Sequence, residues 1–122
     1  MSVKIHQFDP QIYPRLVWVV IGEKKSAPLS DRFEEIDDMD ESTAACVKPT
    51  YDRINNKGGV LIRFAARKYA CDVKVVSHES VHAALAIFDY TGCIISPDNQ
   101  EPFCYLVGWI AQCIREAVKS NR

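Results

Sequence analysis

The chain has 122 residues, 48% hydrophobic and 25% charged, with a formal net charge of −1. That length and balance fit a single globular domain over residues 1–122 and exclude general disorder. No dense basic run is present, which argues against nucleic-acid binding; Lys24, Lys25 and the loose group Arg63, Arg67, Lys68 read as solvated surface. The apolar run "LVWVVIG" is too short to span a membrane and follows a polar start, so the sequence predicts no membrane contact and a cytoplasmic location. Five cysteines, an odd number without CxxC spacing, read as reduced and mostly buried thiols.

In chain order, "YPRLVWVVIG" at 13–22 is rich in β-branched and aromatic residues and ends at glycine, which predicts a buried strand. The acidic stretch "SDRFEEIDDMDES" at 30–42 reads as a solvated loop, with a helical turn near 32–36. Residues 43–66 read as a hairpin. "NNKGG" at 55–59 supplies the turn, "GVLIRF" the stronger arm, and Pro49 marks the weaker arm as an edge.

Helical spacing begins after Asp72, a suitable N-cap, and stops at Gly92. Apolar residues cover most of this helix's circumference, which predicts deep burial. A second helix over about 100–119 follows "ISPDNQ", with Asp98 or Asn99 as its cap and Pro102 in its first turn. The fold expected is α+β: about three antiparallel strands, then two packed helices on one face.

The first of these helices contains "HESVH", so His78 and His82 stand one turn apart on one face. Two imidazoles so placed reach one tetrahedral ion, and Glu79 between them reaches a water at the open position. The metal lowers that water's pKa and Glu79 serves as general base. The pattern thus points to zinc and to hydrolysis. Two imidazoles and a carboxylate in an otherwise apolar helix also cost desolvation, which suggests a shared purpose. A catalytic zinc normally has a third protein ligand. His6 is remote in sequence. Glu101, nineteen residues beyond His82 at the start of the second helix, completes a His₂Glu set, with Asp98, Cys104 and Asp89 as rivals.

"HESVH", the glycine at 92 and "NQEPFCYLVGWI" together resemble the gluzincin branch of zinc metallopeptidases, and more closely small zincin-like proteins of phages and mobile elements. The resemblance covers about residues 58–115. It implies a minimal zincin-like fold, zinc at His78, His82 and Glu101, Glu79 as general base and acid, a peptide or protein substrate, and "GVLIRF" as the edge strand that holds it. Many gluzincins carry an aspartate four residues after the third ligand. Tyr105 stands there in this chain, to orient a ligand, stabilise an oxyanion or pack in the core. The competing expectation is an interaction protein on the same scaffold, using Phe103, Tyr105 and Trp109.

Overall fold

The computed structural model describes residues 3–121. Four strands and four helices follow one another as β1 (His6–Phe8), β2 (Leu16–Ile21), α1 (Ala27–Ser30), β3 (Ala45–Asp52), β4 (Lys57–Phe64), α2 (Arg67–Ala70), α3 (Val73–Thr91) and α4 (Glu101–Ser120). The class is α+β, as the sequence implies. The sheet differs from expectation: it has four strands in the order β1-β2-β4-β3, and β2 runs parallel to β4, while β1 and β3 pair antiparallel to their neighbours. Three residues of β1 are too few to carry a periodic signal. The parallel pair has no local signature, because its connection passes through α1 and β3.

That connection explains the continuous apolar run of β2. Val17 and Val19 join Val60, Ile62 and Phe64 on the sheet face covered by α3 and α4. Trp18 and Val20 join Leu61 on the opposite face, under Leu29 and Phe33. A strand buried on both faces shows no alternation. Phe33 packs against Trp18 with centroids 4.9 Å apart, so the acidic stretch at 30–42 is not purely solvated; its apolar residues Phe33 and Met39 are buried.

In the hairpin, Asn56 takes the left-handed conformation (φ 55°), whereas Gly58 and Gly59 lie inside β4. Gly59 is required by proximity: a Cβ there would stand 2.3 Å from the Leu16 carbonyl oxygen and 2.8 Å from the Trp18 ring.

α3 begins where the Asp72 carboxylate accepts from the backbone N–H of Lys74 and Val75, and ends where Gly92 turns left-handed (φ 75°) and Cys93 N–H returns to the Phe88 carbonyl. Its inward side carries Glu79, Ser80, Ala83, Ala84, Ile87 and Phe88. The small residues let it lie close, and burial of Ile87 and Phe88 stabilises the contact by roughly 1.5–3 kcal/mol each. α4 starts at Glu101 with Gln100 before it, not Asp98 or Asn99, and Pro102 is in its first turn. Phe103 meets Phe88, and the Val118 carbonyl accepts from Arg67 just ahead of α3, so the two long helices run antiparallel. α3 lies over β3 and β4, and α4 over β2. Among the described residues no helix is long and apolar enough to cross a membrane. All five cysteines are free; Cys71, Cys93 and Cys104 are exposed and only Cys113 is buried, fewer than expected.

Candidate metal centre and cleft

α3 is not buried around its circumference. His78, Val81, His82 and Leu85 form an exposed stripe, and the His78 side chain is 66% exposed. Glu79 is the reverse: one helical step from His78, it turns inward and its side chain is 9% exposed. The histidines of a helix expected to be deeply buried thus face outward, because the inward arc is filled by Ser80, Ala83, Ala84 and Ile87.

The two imidazoles converge. His78 Nε2 and His82 Nε2 are 3.2 Å apart, with the rings edge-on. Two ligands at zinc–nitrogen distance in a tetrahedral shell stand about 3.3–3.4 Å apart. The separation of the pair, here within hydrogen-bond distance of each other, matches that of two corners of such a shell. Glu79 Oε2 lies 3.9 Å from His78 Nε2 and accepts no hydrogen bond from the described residues. Burial raises the Glu79 pKa above the usual carboxylate range, and the neighbouring histidines oppose that rise.

These groups face an open cleft of about 530 Å³ between α3 and β3, lined also by Ala45, Val47, Pro49 and Leu85. The strand beside the histidines is β3. β4, which contains "GVLIRF", is paired on both sides and cannot accept a further strand. The signal for β3 was Pro49, which a strand tolerates where the missing N–H would face outward.

The structure does not bring Glu101 to the histidines. It is the exposed first residue of α4. The Phe88–Phe103 contact puts it level with the end of α3, roughly 12 Å along the axis from His82. Asp89, Asp98 and Cys104 are also exposed. Among the described residues no three His, Cys, Asp or Glu side chains are grouped to hold a metal ion. Tyr105 is elsewhere too. It is 74% exposed and lines a separate apolar groove with Ile12, Tyr13 and Trp109, so it touches neither the histidines nor Glu79. His6 pairs with Asn121 near the α4 C-terminus.

No family model matches the chain, and no curated protein or solved structure matches it.

Proposed function

We propose that the protein is a zinc-dependent hydrolase of peptide bonds, with His78 and His82 as metal ligands and Glu79 as the proton carrier. The observation that carries this reading is the 3.2 Å approach of the two Nε2 atoms beside the Glu79 carboxylate, which is largely buried, opens on the cleft and accepts no hydrogen bond from the described residues. A bound zinc ion would supply Lewis acidity to the scissile carbonyl and lower the pKa of water. The two histidines would supply neutral nitrogen ligands, one short of the three protein ligands usual at a catalytic zinc, and their exposure leaves the remaining positions to water and substrate. Glu79 takes a proton from the attacking water as its oxygen bonds to the carbonyl carbon, and delivers that proton to the amine as the C–N bond breaks. Its raised pKa suits both transfers. The edge of β3, and not β4, holds an extended peptide by backbone pairing.

The test is peptide hydrolysis by zinc-loaded protein beside Glu79→Gln. Loss of turnover with zinc retained is the expected result, and an unchanged rate with zinc retained would sink the reading. The second reading, an interaction protein, is favoured by the apolar groove where Ile12 is 82% and Tyr105 74% exposed. A pull-down complex that Tyr105→Asp abolishes, together with no turnover on any peptide, would favour it.

A further inference from the structure

The edge of β3 is open along only part of its length. Ala65 N–H donates to the Ala44 carbonyl at 2.9 Å, directly across the β3–β4 register, so pairs two residues on, from Cys46 to Asp52, also bond inward. The backbone groups of Ala45, Val47, Pro49 and Tyr51 therefore point outward. At Tyr51 that direction is already taken. Glu34 N–H donates to the Tyr51 carbonyl at 3.2 Å, Arg53 N–H to the Arg32 carbonyl at 2.7 Å, and Thr50 Oγ1 to the Glu34 carbonyl at 2.7 Å. Phe33 bridges Asp52 antiparallel, Glu35 takes a left-handed conformation (φ 54°), and residues 36–40 then run back beside Cys46, Val47 and Lys48 across a small cavity, on the Arg63 side of β3. Among the described residues nothing hydrogen-bonds the outward N–H and C=O of Ala45 and Val47 or the Pro49 carbonyl. This window is about 14 Å long.

We propose that this window takes the amino-terminal end of a peptide. The inference rests on the peptidase reading of the cleft. An incoming strand runs along residues 45–49 and then meets the 33–35 segment, so its chain must end there. Antiparallel pairing is the more stable mode. In that mode the N-terminal side of the peptide points to the blocked end. Glu34 and Glu35 stand there, exposed and without an ion-pair partner among the described residues; against the one Arg53 guanidinium nearby, which donates to the Phe33 carbonyl, they leave a net negative end that favours an α-ammonium group over an α-carboxylate. The substrate class is a peptide with a free amino terminus, cut within its first few residues.

The experiment uses one ten-residue peptide in three forms: free, N-acetylated and C-amidated. Products of the zinc-loaded protein are read by mass spectrometry. The expected result is cleavage near the free amino end, a fall in kcat/KM of about tenfold or more on acetylation, and no effect of amidation. Glu34→Gln with Glu35→Gln is expected to weaken the preference for the free end about three- to fivefold. Internal cleavage indifferent to acetylation, or dependence on the carboxyl end, would overturn the proposal. If no form is cut, the peptidase reading fails, and end recognition is read separately from amide shifts of the Glu79→Gln protein with a pentapeptide. Shifts at Ala45, Val47 and Glu34 that need a free amino group support it; no shifts, or shifts unchanged by acetylation, overturn it.

Discussion

Among the described residues two side-chain carboxylates are buried, and their surroundings are opposite. Asp52 accepts from Arg32 Nε at 3.0 Å, Ile54 N–H at 3.0 Å, Asn55 N–H at 3.1 Å and Asn55 Nδ2 at 2.9 Å. Burial alone would raise its pKa, but the Asn55 and Arg32 hydrogen bonds win and hold it below the usual range. Glu79 has burial without donors, and its pKa rises. A carboxylate whose lone pairs are satisfied ties the loop at 30–35 and the hairpin turn to the sheet. One whose lone pairs face a cleft beside two convergent imidazoles is the group the proposed reading uses to move protons.

The largest effect separating the two sites is on turnover. Glu79→Gln is expected to lower peptide hydrolysis by about 10²- to 10⁴-fold. It should leave the melting temperature unchanged or slightly raised, since it removes a partly desolvated charge that holds no hydrogen bond among the described residues. Turnover assays beside thermal melts check both halves, and a melting point that collapses would make Glu79 structural.

Asp52→Ala is the mirror image. It strands the Arg32 guanidinium and the two turn amides, at a cost of about 2–3 kcal/mol in denaturant unfolding. Its pH dependence has a definite sign. A depressed folded pKa means that the stabilisation is complete above the unfolded value, about 3.9, and is lost as pH falls through the folded value. Wild type should therefore lose more stability than Asp52→Asn between neutral pH and about pH 3. Equal losses would show that the cluster is not ionic.

Gly59→Ala forces a methyl group onto the Leu16 carbonyl and Trp18, and should destabilise by about 1–3 kcal/mol without changing zinc content. The smallest effect is chemical. Burial pushes the Cys113 thiol up to about 12, so at pH 8 a thiol reagent should label exposed Cys93 and spare Cys113 in the folded protein.

Where the fold was legible, the signal was local. Asp72 and Gly92 bound α3 because capping needs only a side chain or a positive φ at one position. Pro49 marked the sheet edge because its ring removes one donor. The parallel pairing of β2 with β4 depends on a long connection, and β1 is three residues long, so neither leaves a periodic trace. In the site, HExxH spacing gave the convergence of His78 and His82 directly, since helix geometry alone sets it. Which side of α3 faces the sheet depends on Ser80, Ala83, Ala84 and Ile87 outcompeting the histidines for the inward arc, a tertiary choice. Glu101 and Tyr105 depended on how α4 passes α3. The Phe88–Phe103 contact sets that register, and no spacing within either helix encodes it.

The most direct test is zinc stoichiometry by elemental analysis of the purified, zinc-reconstituted protein beside His78→Ala, His82→Ala and Glu101→Ala. The account predicts about one zinc per chain in wild type and in Glu101→Ala, and loss in both histidine variants. No zinc in wild type would contradict the metal site. Loss in Glu101→Ala would contradict the placement of α4 relative to the histidines.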